Sequence, residues 1–307
     1  MFAARRILFL AILALILTPP LLFAAGPPAP VQHADTASHV VFLGTGAADI
    51  NRPKTDGCAN CTHIREHGGK NARRYSSLFV APDIVIDFTT TGLESLKASG
   101  VAPSAVAHVL ITHSHGDHFD PASISALAKE KGGRITLHGN ARVVAAMRKH
   151  LDALEDKPDV MVHELKPFQG CDVDEWRCIP LPASHAPGED ALLYVLRRKD
   201  RALLYATDTS WLPAATFNAL KSEHLDLAIV EATFGEIDKP ELLTAHMNLP
   251  FVRLVRRFLF EQKVMKAGGR FSVTHTSLHW CEPHDILAPK LANEGMILPH
   301  DGMRLGL

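Results

Sequence analysis

The sequence predicts an α/β domain, because short apolar strands alternate along it with helical segments. Of its 307 residues, 47% are hydrophobic and 21% are charged, which is an ordinary globular balance with enough apolar material for a core. Strands dominate each half of the chain, and no repeat of fixed spacing is present. One α/β domain of two similar halves, over residues 39–307, is therefore the simplest architecture.

The predicted strands are short apolar runs rich in β-branched residues, and those at 75–80 and 84–87 form a hairpin around Pro82-Asp83. They are 39–43, 75–80, 84–87, 107–112, 134–138, 160–165, 177–183, 191–197, 202–206, 225–231 and 270–273, with short strands around Met296 and Met303. Helices are predicted where an N-capping residue precedes an apolar periodic segment, as Asp120 and Asn248 do. They are 91–99, 121–130, 141–154, 213–221 and 249–263.

Three histidines and an aspartate lie within His113–His118, immediately after the predicted strand 107–112. In extended chain, side chains alternate, so His113 and His115 point the same way. The following glycine lets the chain turn and brings Asp117 and His118 to a neighbouring point. The spacing suits two metal ions side by side, and the alternative is a polar loop of solvated histidines.

Four more polar residues follow an apolar run directly, namely His185, Asp208, His246 and His275. The predicted ligands are His113, His115 and His185 for one metal, and Asp117, His118 and His275 for the other. Asp208, which has two oxygens, can bridge the two metals. His246 is a candidate general acid or oxyanion donor, with a purely structural role as the alternative. Asp87 ends a predicted strand and is placed to support a ligating histidine.

Such a pair of cations has a specific chemistry. When two cations lie about 3.5–4 Å apart, the pKa of a water shared between them falls from about 15.7 towards neutrality. The resulting hydroxide is the nucleophile, so no catalytic serine or cysteine is required, and no Gly-x-Ser-x-Gly motif is present. The candidate catalytic residues are Asp117, a predicted metal ligand, and His246.

The motif His113–His118, with His185, Asp208 and His275 following in order, resembles the metallo-β-lactamase superfamily from about residue 39 onward. That resemblance implies a four-layer αββα sandwich and a hydrolase with two Zn or Mn ions. The Gly-Thr-Gly at 44–46, the Asp-Gly-Cys-x-x-Cys at 56–61, Asp208 and Thr274-His275 are similar to the phosphodiesterase branch. This branch includes phosphoribosyl cyclic phosphate diesterases and the tRNA 3′-processing nuclease.

The sequence departs from that branch in two respects: it carries an export signal, and it has no evident counterpart of the nuclease's RNA-gripping arm. The net charge is −1 and no block of Lys and Arg is present, so nucleic acid is not the expected partner. A small-molecule substrate is expected, and a homodimer is compatible with the sequence.

The spacing of Cys58 and Cys61 is that of half a zinc site. A structural zinc held by Cys58, Cys61, His279 and Cys281 is the favoured interpretation, and relatives of the cyclic phosphodiesterase carry a comparable Cys/His site. His63 is an alternative to His279, and a Cys58–Cys61 disulfide or free thiols are the other readings. Cys171 and Cys178 flank a six-residue segment and could close a small loop as a disulfide, which an oxidising compartment would permit.

The first 25 residues have the layout of a secretory signal. Arg5 and Arg6 precede an apolar run over 7–17, and small residues mark a cleavage site near Ala24 or Ala25. An uncleaved membrane anchor is the alternative, but two prolines interrupt the apolar stretch. Residues 26–38, rich in Pro and Ala, are predicted to be a linker. The mature protein is then periplasmic or secreted, with no stable membrane span.

Together these observations predict an exported dinuclear metallohydrolase that attacks a phosphodiester, such as a cyclic phosphate. One alternative keeps the metal site and changes the substrate to a lactone, thioester or β-lactam. Another is a non-catalytic metal-binding protein on the same fold.

Overall fold

The computed structural model describes residues 38–51, 57–239 and 243–307. The strands in these ranges are β1 His39–Gly44, β2 Ser77–Val80, β3 Ile84–Ile86, β4 His108–Leu110, β5 Ile135–Gly139, β6 Val160–Glu164, β7 Cys171–Val173, β8 Trp176–Pro182, β9 Leu192–Arg198, β10 Arg201–Ala206, β11 Leu225–Glu231, β12 Met265–Thr274 and β13 Arg304–Gly306. The α-helices are α1 Ala59–His67, α2 Gly92–Ala98, α3 Pro121–Lys131, α4 Ala141–Asp152, α5 Ala214–Leu220, α6 Leu249–Glu261 and α7 His284–Asn293.

The strands form two sheets, each drawn mainly from one half of the sequence. The first has the order β13-β1-β2-β3-β4-β5-β6, and the second has the order β12-β11-β10-β9-β8-β7. The exception is β13, which comes from the end of the chain and pairs antiparallel with β1. The predicted α/β class and its two halves are therefore confirmed.

Three apolar clusters lie between successive layers. One joins the inner faces of the two sheets, one lies between the first sheet and helices α2 to α4, and one lies between the second sheet and helices α5 to α7. In β10, Leu203 and Tyr205 belong to the inter-sheet cluster, whereas Leu204 and Ala206 pack under the helices, as a strand's alternation requires. The order helix, sheet, sheet, helix is the expected four-layer αββα sandwich.

Most predicted elements lie within a few residues of their expected positions. The predicted N-caps are correct: Asp120 accepts a hydrogen bond from the Ser123 backbone N–H at 2.9 Å, and Asn248 accepts one from Phe251 at 3.0 Å. Three elements were not predicted, namely α1, α7 and β7. Strand β12 begins earlier than the predicted 270–273, and around Met296 only an isolated bridge of Ile297 to Ser272 forms.

Parallel pairing fixes where the functional residues gather. β4 runs parallel to β3 and β5, and β11 runs parallel to β10 and β12. The carboxyl ends of parallel neighbours meet at one edge of a sheet, and the chemistry-bearing loops leave from there.

The predicted signal, 1–25, and the linker, 26–38, fall outside the described residues except for Ser38. Among the helices that the structure describes, none combines the length and apolar character needed to cross a bilayer.

Candidate metal centre and active site

The predicted ligands come from loops that leave the ends of strands in both sheets. His113 follows β4, Asp208 follows β10 and His275 follows β12. Asp208 and His275 have φ values of 55° and 51°, the left-handed region that non-glycine residues seldom adopt. Such backbone strain is retained where the surrounding structure holds a side chain for a function.

One group of donor atoms consists of His113, His115, His185 and Asp208, whose ligand atoms all lie within 4.8 Å of one another. His185 Nε2 lies 3.1 Å from His115 Nδ1 and 3.4 Å from Asp208 Oδ2. His113 Nε2 lies 3.6 Å from the same Asp208 oxygen. This is the set predicted for the first metal together with the predicted bridge.

The second group consists of Asp117, His118, Asp208 and His275, again within 4.8 Å of one another. His118 Nε2 and His275 Nε2 are 3.1 Å apart. Asp208 Oδ2 lies 3.2 Å from His118 Nε2, and Asp208 Oδ1 lies 3.0 Å from His275 Nε2. Asp208 is thus common to both groups: its Oδ2 lies near nitrogens of both, and its Oδ1 lies near His275 of the second group.

The donor atoms fit divalent cations. Ligands bound tetrahedrally to one zinc ion at about 2.0–2.2 Å lie roughly 3.3–3.6 Å apart, close to the separations found here. His113 is fully buried, yet its Nε2 has no hydrogen-bond partner and faces the cluster. Burial holds the pKa of His113 well below its usual value, so the ring is neutral and offers a lone pair.

A layer of hydrogen bonds orients these rings. His118 Nδ1–H donates to Asp87 Oδ2 at 2.7 Å, which leaves His118 Nε2 directed at the second group. Asp87 is fully buried and also accepts from the Thr112 backbone N–H at 2.9 Å. His113 Nδ1–H donates to the Thr112 hydroxyl at 3.0 Å. Asp87 therefore occupies the supporting position that the sequence predicts.

His118, in the second group, is surrounded by the carboxylates of Asp208, Asp117 and Asp87. Burial alone would lower the pKa of His118, but the carboxylates of Asp208, Asp117 and Asp87 raise it well above its usual value. A ring surrounded by three carboxylates is a place where positive charge is stabilised, whether a proton or a metal ion supplies it.

The predicted catalytic residue His246 lies at the edge of the cluster, beside a carboxylate that sequence reasoning missed. His246 Nδ1–H donates to Glu231 Oε2 at 3.1 Å. Glu231 is fully buried at the end of β11 and accepts further hydrogen bonds from the backbone N–H groups of Thr209, at 2.6 Å, and Met247, at 3.2 Å. Burial disfavours a charged His246, yet Glu231 and Asp208 raise its pKa. The available signal was a carboxylate at the end of an apolar run, as at Asp208.

The hydroxyl of Thr233 connects the Glu231–His246 pair to His275, a member of the second group of donor atoms. It donates to Glu231 Oε2 at 2.5 Å and accepts from His275 Nδ1–H at 2.9 Å. A cavity of about 190 Å³ opens beside His246 and His275, and its wall includes the aromatic side chains of Phe234 and Trp280. The cavity provides space for a substrate next to the metal groups.

The predicted structural zinc site is assembled in part. Cys58, Cys61 and His279 place their ligand atoms within 4.8 Å of one another. Cys281 is turned away from them: its thiol is buried and donates to the backbone oxygens of Ala232 and Thr233 at 3.3 and 3.4 Å. The predicted set is therefore corrected to exclude Cys281, because its thiol is hydrogen-bonded to the backbone just after β11.

The alternative ligand His63 is engaged elsewhere. Its Nε2 pairs with Asp285 at 2.9 Å, at the start of α7. Cys58, Cys61, Cys171, Cys178 and Cys281 are all free thiols. Cys58 accepts a hydrogen bond from the Cys61 backbone N–H at 3.3 Å, so this pair begins α1.

The sequence over residues 83–265, more than half of the chain, matches the beta-lactamase superfamily domain. The chain belongs to this superfamily. It is 28% identical to the ribonuclease Z of Pyrococcus abyssi over 167 residues, which are 53% of this chain and 48% of that protein. This chain thus aligns with about half the length of that relative.

Solved structures share the fold of this superfamily member. A diphosphatase from the PhnP family, 22% identical, superposes with a TM-score of 0.67 over 88% of this chain and 97% of its own. Zinc-bound PqqB from Methylobacterium extorquens, 15% identical, gives a TM-score of 0.67 over 88% of this chain and 100% of its own. At these identities the likeness concerns the fold. The predicted superfamily is confirmed, and the partial match to ribonuclease Z agrees with the predicted phosphodiesterase branch.

Proposed function

We propose that this superfamily member is a dinuclear metal-dependent hydrolase that cleaves a small phosphodiester, such as a cyclic phosphate. The observation that carries the proposal is Asp208, whose Oδ2 lies within 3.6 Å of histidine nitrogens from both groups of donors. The similarity to a ribonuclease Z and to a PhnP-family diphosphatase supports a phosphoester substrate. The imidazole-rich donor set favours zinc, and the zinc-bound fold relative supports it.

The bound cations and the surrounding side chains would have separate roles in this reaction. Two divalent cations in these groups would lower the pKa of a shared water and take up charge on the phosphoryl oxygens. Glu231 fixes His246 through Nδ1, so the other ring nitrogen, Nε2, carries the proton that His246 donates to the leaving oxygen. Asp87 and Thr233 hold the rings of His118 and His275 in position.

The test is hydrolysis of bis(p-nitrophenyl) phosphate and of 2′,3′-cyclic nucleotides by full-length protein loaded with Zn²⁺ or Mn²⁺. We expect turnover by the wild type and a loss of at least about 10³-fold in Asp208→Asn, because the shared carboxylate is removed. Asp200→Asn, at a site whose side chain is 82% exposed, is the matched control and should retain full activity. Turnover of lactones or nitrocefin with no phosphodiester cleavage would replace this substrate class with a carboxylic derivative.

We also propose that Cys58, Cys61 and His279 hold a separate structural zinc, with water as the fourth ligand. The basis is that two thiols and one imidazole, all of them common zinc ligands, have their ligand atoms within 4.8 Å of one another. Elemental analysis should find one zinc fewer per chain in Cys61→Ser than in the wild type, with phosphodiesterase activity of the folded protein kept. An unchanged zinc content would contradict this site.

Export is a further proposal, based on the basic start and short apolar run of the first 25 residues. Fractionation of expressing cells, with N-terminal sequencing of the mature protein, should find it outside the cytoplasm and starting near residue 26.

A further inference from the structure

A second cluster of reactive side chains lies on the strands β5 to β8, apart from the metal groups. Its centre is the hairpin of β7 and β8, where Cys171 and Cys178 are directly opposite partners. Cys178 belongs to the cluster between the two sheets and Cys171 packs against it, so both thiols point to the same face. Opposite residues of antiparallel strands have Cα atoms about 4.5–5.5 Å apart, within the range that a disulfide spans.

The two thiols differ in access. Cys178 is fully buried, whereas Cys171 is partly exposed at the edge of the second sheet. Cys171 is therefore the more accessible of the two thiols to a reagent in solution.

Imidazole groups from the first sheet face this pair. His138 on β5 and His163 on β6 are register partners, and their ring centroids lie 5.4 Å apart. His138 is 3% exposed, and its Nδ1 has no hydrogen-bond partner of good geometry. Its other nitrogen, Nε2, lies 3.1 Å from His108 Nδ1, and His108 Nε2 in turn pairs with Asp174 at 3.1 Å. Leu137 and Val162 pack on the helix side of the first sheet, so strand alternation turns His138 and His163 towards the second sheet, where Cys171 packs.

These neighbours make the two thiols chemically unequal. The adjacent Cys178 thiol, followed by the imidazoles of His138 and His163, lowers the pKa of Cys171 to about 5. Contact with Cys171, together with burial, raises the pKa of Cys178 well above its usual value. The phenol of Tyr194, on the neighbouring strand β9, donates to the Ile111 backbone oxygen and leaves both thiols free. Cys171 is therefore the nucleophile of the pair and Cys178 its protonated partner.

We propose that Cys171 and Cys178 form a redox-active thiol pair that reacts with low-molecular-weight disulfides. The Cys171 thiolate attacks one sulfur of RSSR, which forms a mixed disulfide and releases RS⁻. The Cys178 thiol gives its proton to that thiolate and attacks the Cys171 sulfur, which expels the second RS⁻. The two cysteines are oxidised by two electrons to an intrachain disulfide, and RSSR is reduced to RSH and RS⁻.

The test uses full-length protein, oxidised glutathione near pH 6 and mass mapping of the cysteine peptides. We expect the wild type to form the Cys171–Cys178 disulfide. Cys178→Ser should stop at one glutathionyl group on Cys171, because the resolving thiol is absent. Cys171→Ser should leave Cys178 unmodified, because no accessible nucleophile remains. Cys281, a thiol only 3% exposed, should stay unmodified in the same samples and serves as the control for general access to buried thiols.

The role of the imidazole has its own readout. In the Cys178→Ser background, His138→Asn should slow the formation of the mixed disulfide at least about tenfold near pH 6, and much less near pH 9, where any thiol is ionised. Equal reactivity of Cys171 and Cys178 in the two single variants, or no reaction at either, would overturn the proposal. Phosphodiesterase activity should be the same in Cys171→Ser and the wild type.

Discussion

Glu231 is the residue on which the orientation and charge of His246 depend. We predict that Glu231→Gln lowers kcat about 10²-fold without changing the metal content, because the amide cannot stabilise a protonated His246. The loss should be smaller for a p-nitrophenyl leaving group than for an alkyl leaving group, since nitrophenolate needs little protonation. Both rates are measured with metal-saturated enzyme.

The control for this variant is Glu261→Gln, at an exposed position of α6. It should leave both rates unchanged. Equal losses for the two leaving groups would show that Glu231 supports the structure and that His246 is no acid.

A second prediction at the scale of single residues concerns Asp83, which has a carboxylate oxygen within 4.8 Å of one of Asp174. Burial, and then this neighbouring carboxylate, raises the pKa of Asp83 to about 7. Because the folded protein holds a proton that the unfolded chain releases above about pH 4, stability falls as the pH rises towards 7. Asp83→Asn should therefore flatten the decline in Tm between about pH 4 and pH 7 in thermal denaturation.

Asp172→Asn, on the β7–β8 hairpin that also carries Asp174 and with a side chain that is 77% exposed, is the matched control. It should keep the pH dependence of the wild type. An undiminished decline in Asp83→Asn would show that this carboxyl group titrates normally.

At the scale of single elements, α6 anchors the loop that carries His246. The Asn248 side chain accepts from the Phe251 backbone N–H at 3.0 Å and donates to the Ile237 backbone oxygen at 2.8 Å. Asn248→Ala should lower the free energy of unfolding by about 1–2 kcal/mol, measured in urea, because the cap is lost. Asn248→Asp keeps the acceptor and should recover most of that stability. If Asn248→Ala is as stable as the wild type, the cap is dispensable.

The elements that could be predicted are those whose burial leaves a pattern in the sequence. Strand β10 and helix α3 show this, the first as an apolar run and the second by its Asp120-Pro121 start. Helix α1 buries no residue, so no apolar stripe indicates it. Helix α7 contains Pro289, a residue that argues against a helix interior.

The candidate site could be predicted where its residues directly follow buried strands, because those strands leave an apolar pattern in the sequence. His113, Asp208 and His275 each follow a buried strand, and strand ends converge in a sheet. Glu231 carries a weaker form of that signal, because it is the last residue of its strand and does not follow it. Only the structure places Thr209 and His246 beside it. Cys281 shows the opposite error: spacing along the chain suggested a ligand, and the turn after His279 directs its thiol into the core.

At the scale of the whole molecule, the metal groups connect the two sheets. His118 leaves the first sheet, whereas Asp208 and His275 leave the second, so a bound cation links both halves of the sandwich. Metal that binds only the folded state stabilises it by about 4 kcal/mol at a 1,000-fold excess over Kd. In a protein of this size, that corresponds to a rise in Tm of roughly 10 °C.

We therefore predict that Mn²⁺, which thiolates bind weakly, raises the Tm of chelator-treated protein by roughly this amount in calorimetry. His275→Ala should lose most of the rise, because one ligand of the second group is gone. His300→Ala removes a partly buried histidine that packs against His284, away from both groups, and should keep the full rise. An equal rise in His275→Ala and the wild type would mean that the stabilising ion binds elsewhere and that the two sheets are not joined through this centre.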